Sequence, residues 1–344
     1  MNPSSIFRHS VPALVLAAGL TACAGQTPVG GGFTPLAPAP TSLQSAGTQQ
    51  AGPQDVEPDK QHHVEIFTAN RDGDSILGFK FNGHGNIAPA TTISGSHTRF
   101  YEPDSLAMDS KGNLYTADDG GSQVEVFAKG ADGNVSPARV LTGSKTQLGS
   151  IEGLYVDPSD HLWASNYSSS ALTSYAPGAK GNAKPSATIT GSNTQLDGPT
   201  GMAMNSQGQL YAANVYSGSI VGFAKGANGN ATPIVTIGGS NTGLAKPFAL
   251  AFNSSGELLV ADEYAGVFVF AKGANGNVAP LQKITGMSYP AGIMADSNSH
   301  IWVADFTGNS IKEFAPTANG AATPLRTIEG SKTTLSGANY LVMN

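Results

Sequence analysis

From residue 64 onward, apolar residues come in short runs of four to six, each cut off by Gly, Asn, Asp or Pro. The runs fall into groups of four. In one group, residues 105–109, 114–118, 123–128 and 138–142 are separated by turn-forming stretches such as Ser110-Lys111-Gly112-Asn113 and Ala131-Asp132-Gly133-Asn134. Short strand-like runs between turn residues predict an antiparallel meander of four strands. The second run of each group is almost wholly apolar, as in Leu210-Tyr211-Ala212-Ala213, Leu258-Leu259-Val260-Ala261 and Ile301-Trp302-Val303-Ala304. A strand with one wet face alternates, so this pattern predicts a sheet covered on both faces. Each of these runs has a small residue near its end (Ala69, Ala117, Ser165, Ala213, Ala261, Ala304), which suits a wedge narrowing inward.

The group recurs six times, marked by Pro89, Pro137, Pro185, Pro233, Pro280 and Pro324, at intervals of 48, 48, 48, 47 and 44 residues. A repeat of that length built from four strands predicts a β-propeller with one blade per repeat. The second strand ends at Asn70, Asp118, Asn166, Asn214, Asp262 and Asp305, whereas the first ends at Asp109, Asp157, Asn205, Asn253, Asp296 and Asn344. The series therefore opens on a second strand and stops on a first. Residues 340–344 must complete the blade opened by residues 64–70 and remove the last free edge. The fold expected is all-β, a six-bladed β-propeller of four-stranded antiparallel blades over residues 61–344. The Asp/Asn that ends each second strand is expected to cap the turn after it.

The pattern quoted at Pro199-Thr200-Gly201-Met202-Ala203-Met204-Asn205, Ser206-Gln207-Gly208-Gln209-Leu210-Tyr211 and Ile220-Val221-Gly222-Phe223 resembles the NHL-repeat propellers, from about His62 to Asn344. That resemblance implies the fold. Relatives of this architecture include lactonases, lyases and pure binding modules, so function has to be argued from the site.

Charged residues make up only 12% of the 344, the formal net charge is −6, and there is no run of Lys or Arg, which excludes a nucleic-acid binder. Residues 1–22 read as an export signal, with Arg8 ahead of an apolar stretch over 11–20 that is too short to span a bilayer. They end in Leu20-Thr21-Ala22-Cys23, which resembles a bacterial lipobox and implies cleavage before Cys23 and a lipid anchor (palmitate among its acyl chains) on its thiol. Cys23 is the sole cysteine, so no disulfide supports the fold. Ala24 after it implies, by resemblance to bacterial lipoproteins, passage to the outer membrane of a source that has one. Residues 23–60, rich in Pro, Gly, Ala, Thr and Gln, are expected to form a disordered tether. The expected localisation is the bacterial cell envelope, with the membrane as one partner.

A residue type present in every blade answers a need of the blade, so departures mark candidate chemistry. The residue after the leading Pro of the innermost strand is expected at the mouth of the axial channel, and it varies: Asp104, Glu152, Thr200, Phe248, Ala291 and Asn339. Asn339, Asp104 and Glu152 fall on consecutive blades, and oxygen ligands converging there would suit a hard cation such as Ca²⁺. The arrangement is similar to that of gluconolactonase-type propellers, which implies a Ca²⁺-dependent lactonase or related hydrolase. The first reading is nonetheless a binding or scaffolding module for a protein, peptide or glycan, with the lactonase as its alternative, using aromatic residues of the same face: Tyr167, Tyr216, Tyr264, Phe306, Phe100 and Tyr101. His161 and His300 are expected to be exposed on the opposite face and unable to meet. Residues 70–75 carry alternate oxygens but lack the Gly and distal Glu of a calcium loop, so they read as a hairpin turn.

Overall fold

The structure, a computed structural model, describes residues 64–344, so the export signal, Cys23 and the tether lie outside the described residues. Blade I contains β1 (Glu65–Asn70), β2 (Ser75–Lys80) and β3 (Thr91–Ser94). Blade II follows with β4 (Pro103–Met108), β5 (Leu114–Asp118), β6 (Gln123–Phe127) and β7 (Arg139–Thr142). Blade III is β8 (Ile151–Val156), β9 (Leu162–Asn166), β10 (Ala171–Tyr175) and β11 (Ala187–Ile189). Blade IV is β12 (Pro199–Met204), β13 (Leu210–Asn214), β14 (Ser219–Phe223) and β15 (Val235–Ile237). Blade V is β16 (Pro247–Phe252), β17 (Leu258–Asp262), β18 (Gly266–Phe270) and β19 (Gln282–Ile284). Blade VI is β20 (Pro290–Ala295), β21 (Ile301–Asp305), β22 (Ser310–Phe314) and β23 (Arg326–Glu329), after which β24 (Ala338–Met343) returns to blade I.

All six sheets are four-stranded antiparallel meanders, and the order β24-β1-β2-β3 closes the ring as the displaced strand series requires. The first strands β4, β8, β12, β16, β20 and β24 neighbour one another around the axis. The apolar second strands are covered on both faces because the cores lie between blades. Trp302, Ala304 and Ile311 of blade VI pack with Ile66, Phe79 and Leu341 of blade I, and Tyr211 and Ile220 pack with Val260 and Phe270. Among the described residues no helix is long and apolar enough to cross a membrane.

Two sets of polar contacts repeat around the ring. The Asp/Asn ending each second strand does not chiefly cap the turn after it, as expected; it clasps the segment entering its own blade. Asn70, Asn166, Asn214, Asp262 and Asp305 accept the N–H of Ser336, Gly149, Asp197, Ala245 and Ser288, at 2.6–3.1 Å. Asp118 takes that of Tyr101 in the same way. Asp262 also holds the turn that follows, through the N–H groups of Tyr264 and Ala265, and Asn70, Asn166 and Asn214 donate across theirs to Ser75, Ala171 and Ser219. The reason is burial: four of the six side chains are fully buried and Asn70 nearly so, where the incoming backbone has no water to bond.

At the outer rim, the Gly of each Gly-Asn or Asn-Gly turn bridges to the last strand of the preceding blade, pairing Gly133 with Ile93, Gly181 with Leu141, Gly229 with Ile189 and so on through all six junctions. The neighbouring Asn adds a second tie in five of them. Asn134, Asn182, Asn230, Asn277 and Asn86 accept the N–H of His97, Lys145, Asn193, Asn241 and Lys332.

Because β24 supplies the inner strand of blade I, deletion of residues 338–344 exposes the β1 edge and the core shared with blade VI. The truncated chain is expected to lose its cooperative thermal transition in circular dichroism; a melt unchanged from the full chain would show that the ring does not need this closure.

Candidate functional site

The inner strands approach so closely near their start that the third residue of each must be small. A Cβ on Gly153 or Gly201 would lie 2.4 Å from the carbonyl oxygen of Thr200 or Phe248, and one on Gly292 would lie 2.7 Å from the Tyr340 nitrogen. Ser105 and Ala249 occupy the same slot in blades II and V. The sixth is Tyr340, which escapes the crowding with a left-handed φ of 41° inside a bulge of β24 against β1. Its ring turns into the axis. The hydroxyl donates to the Glu152 carbonyl at 2.7 Å, and the ring packs 5.6 Å from that of Phe248. Tyr340 and Phe248, 7% and 2% exposed, thus close the channel, and the mouth is a cup rather than a pore.

Two tiers of residues surround this floor. The lower tier contains Asn339, Asp104, Glu152, Thr200, Phe248 and Ala291, the positions singled out by their variation; all but Glu152, which is half-buried, are buried. The upper tier is the first residue after each second strand: Arg71, Asp119, Tyr167, Val215, Glu263 and Phe306. Every one donates its N–H to the carbonyl just before an inner strand, of Gly337, Glu102, Ser150, Gly198, Lys246 and Tyr289, at 2.8–3.1 Å. The backbone thus holds the tier without using its side chains, which leaves them free to vary in chemistry.

Arg71 is the electrostatic centre. It pairs with Asp119, with Glu102 at 2.8 Å and with Asp104 at 3.3 Å, and its guanidinium lies 5.8 Å from the Phe306 ring centre. Asn339 donates to Asp104 at 2.7 Å, so two of the three residues proposed from sequence as cation ligands do meet. Asp104, Asp119 and Glu152 each bring one oxygen within 4.8 Å of the others. Glu263 is nearly buried on the same rim. Burial pushes the Tyr340 phenol well above its usual range, with the charges of Asp104, Glu152 and Glu263 adding to the effect, so it remains a neutral donor. Three carboxyl groups thus share the Arg71 guanidinium, and two more, Glu152 and Glu263, lie near the Tyr340 phenol.

The acidic character extends along blade II. Burial, with the nearby charges of Asp74 and Glu102, raises Asp118 to about 6 against the hydrogen bond from Tyr101. Glu125, fully buried on β6, is raised to about 8 by burial and then by Asp118. One Glu125 oxygen accepts from Gln123 at 2.6 Å, while the other has no partner.

The aromatic residues do not form one continuous ring. Tyr167 and Tyr216 pair at 5.1 Å, and Tyr264, Tyr289 and Phe306 form a second row at 6.0 and 5.7 Å. Phe100 turns inward onto Phe127, leaving Tyr101, Tyr216 and Tyr264 exposed by 73%, 60% and 67%. The Lys246 ammonium sits 5.0 Å above the Tyr264 ring. On the opposite face His161 and His300 are partly buried rather than exposed, because each folds back on an acid: His161 lies 3.5 Å from Asp157, and His300 lies 3.0 Å from Asp296. Residues 70–75 form a hairpin turn with a short 3₁₀ segment, as read.

Arg71, Asp119, Glu263 and Tyr340 escaped the sequence reading. The first three stand at the position after the recurrent Asp/Asn, where comparison of repeats would have found them. Tyr340 stands in a slot otherwise Ser, Gly or Ala.

No family model and no curated protein matches this chain. Solved structures do. A chain of the nidogen/laminin complex is similar with a TM-score of 0.58 at 14% identity, over 81% of this chain and 98% of that one. A protein of unknown function from Bacteroides caccae gives 0.57 at 9%, over 82% and 98%. A streptogramin B lyase gives 0.51 at 12%, over 67% and 70%. At such identities the likeness establishes the propeller fold and nothing about chemistry.

Glu125 provides a test of the acidic flank. Its carboxyl holds a proton to about pH 8 in the folded chain and loses it near the ordinary 4.5 when unfolded, so folding takes up a proton between those values. Wild-type stability should fall as pH rises through that window, with Asp118 adding to the fall between about 4 and 6. Glu125→Gln removes its share, so the melting temperature of the variant minus that of the wild type should grow from pH 5 to pH 8.5. A difference that stays constant would mean Glu125 is ionised in the fold.

Proposed function

We propose that this chain is a binding module, held at a bacterial cell envelope by a lipid on Cys23, whose ligand is a cationic peptide segment received in the cup at the axial mouth. The observation that carries this reading is the acidity of the mouth: Glu102, Asp104 and Asp119 share Arg71, and Glu152 and Glu263 add their charge near Tyr340, above a floor closed by Tyr340 and Phe248. Low-dielectric walls focus such a field and raise the local concentration of cations. Exposed Tyr216 and Tyr264 offer faces for a Lys or Arg, a contact that Lys246 already makes with Tyr264. The lipid anchor rests on the lipobox resemblance, and mass measurement of the membrane fraction before and after Cys23→Ser tests it.

The ligand reading is tested with fluorescent peptides of equal length, Lys/Arg-rich against Asp/Glu-rich. The basic peptide should bind, weaken steeply with salt, and lose about tenfold affinity when Tyr216 and Tyr264 are both replaced by Ala. Equal binding of both peptides, or of neither, would sink the proposal.

A second reading is favoured by the oxygens of Asp104, Asp119 and Glu152, which lie close enough to hold Ca²⁺ beside Asn339, as a lactonase or related hydrolase would use them. It requires Arg71 to swing aside, because its guanidinium is paired to two of the three. A rise in melting temperature with CaCl₂ that Asp104→Asn abolishes supports this reading; no rise at millimolar CaCl₂ removes it.

A further inference from the structure

The opposite end of the ring carries a second group of chemistry-bearing side chains that the mouth does not use. In blade VI, Asp296 and His300 flank the turn after β20, and Glu313 reaches the same spot from β22. The His300 Nδ1 atom lies 3.0 Å from Asp296 Oδ2 and 3.2 Å from Glu313 Oε1, and the three ligand atoms lie within 4.8 Å of one another. Asp296 and Glu313 are 5% and 2% exposed, whereas the His300 side chain, at 29%, opens the site to solvent.

Each carboxylate is fixed from behind. The second oxygen of Asp296 accepts the N–H groups of Asn298 and His300, both at 2.9 Å. The second oxygen of Glu313 is paired with Arg326, whose guanidinium lies 4.9 and 5.2 Å from the ring centres of Trp302 and Phe81, which also contact each other. Hydrogen bonds that orient ligating carboxylates in this way are the usual support of a metal centre.

The geometry suits a cation at the imidazole nitrogen. Nδ1 faces an oxygen of each of two carboxylates, at 3.0 and 3.2 Å, from one solvent-open side chain. Ligand atoms about 3 Å apart are the spacing of neighbours at right angles on an ion with bonds of roughly 2.1 Å. One imidazole nitrogen with two carboxylate oxygens suits first-row divalent ions better than Ca²⁺ or Mg²⁺.

The arrangement also departs from the repeat. The residue paired across the sheet at the Glu313 position is Gly78, Val126, Ser174, Gly222 or Val269 in the other blades. Blade III, the other with a His in that turn, pairs Trp163 with Ser174 and provides no second carboxylate.

We propose that Asp296, His300 and Glu313 form a binding site for a divalent first-row transition metal, with solvent completing its coordination. The ion ties the turn after β20 to β22, at the end of the ring away from the mouth.

Equilibrium dialysis of the full chain against Zn²⁺, followed by metal analysis and calorimetry, tests this. His9, His62, His63 and Cys23 lie elsewhere in the chain, so the readout is the difference between variants. Glu313→Gln and His300→Asn should each lose one Zn²⁺ per chain, or weaken that site at least tenfold. The His300→Asn change, at a solvent-open position, carries the test should Glu313→Gln fail to fold. Zn²⁺ stoichiometry and heats equal to those of the parent chain in a folded variant overturn the proposal, as does a parent chain that takes up no Zn²⁺ at 100-fold excess.

Discussion

The approach of six inner strands around one axis is the constraint on which the rest of this molecule depends. Strands wedged that closely leave no room for a Cβ at Gly153, Gly201 and Gly292, and the chain accordingly spends small residues in five of the six slots. The sixth falls on β24, which enters last and closes the ring. All six inner strands bulge against their neighbour near this point, but Tyr340 alone among the six third residues takes a left-handed φ, and its ring reaches across to Phe248 and Glu152. One local steric problem thereby turns a potential pore into a cup. It also sets Phe248, Asp104 and Glu152 around a common phenol that would otherwise face empty space.

Reading the fold from the chain succeeded because the signals were local. Strand, turn and strand lie within 20 residues of each other, and a sixfold repeat prints each signal six times. The polar contacts between segments were less visible. Asn166 and its counterparts looked like turn caps, since a side chain at that position has a following turn within reach. That they instead hold the segment 17 residues earlier follows only once the strands are paired and buried. The Gly-Asn turns were likewise read as hairpins, while their larger part is to tie each blade to the one before.

The candidate site shows the same division more sharply. Asp104, Glu152 and Asn339 were found by asking which ring position varies, and Asp104 and Asn339, 235 residues apart, do touch. Arg71 was hidden because attention rested on the calcium-loop pattern of its neighbours. Nothing in a linear repeat announces that an arginine after β1 answers acids from blade II. His300 was set aside as a turn residue for a similar reason: its partner Glu313 arrives from a different strand, in a column where the other blades carry Gly, Val or Ser.

Where the ring is irregular, its polar ties thin out together. The loop after β17 has three residues where the other five have four, and the connection from β19 to β20 has five where the others have eight or nine. At this junction Thr285 still donates to the Gly320 carbonyl of the neighbouring turn and Lys283 to Asn319, but Ala321 stands where the other five turns carry the Asn that makes the second tie. At the centre of the ring Asp305 takes the N–H groups of both Ser288 and Tyr289, as Asp262 takes those of Ala245 and Lys246, and it pairs with Lys312 at 2.7 Å. The two shortened segments contribute Tyr264 and Tyr289 to the row with Phe306 on the mouth face. The departures from the repeat therefore fall beside this aromatic row, on the same face as the carboxylates that share Arg71.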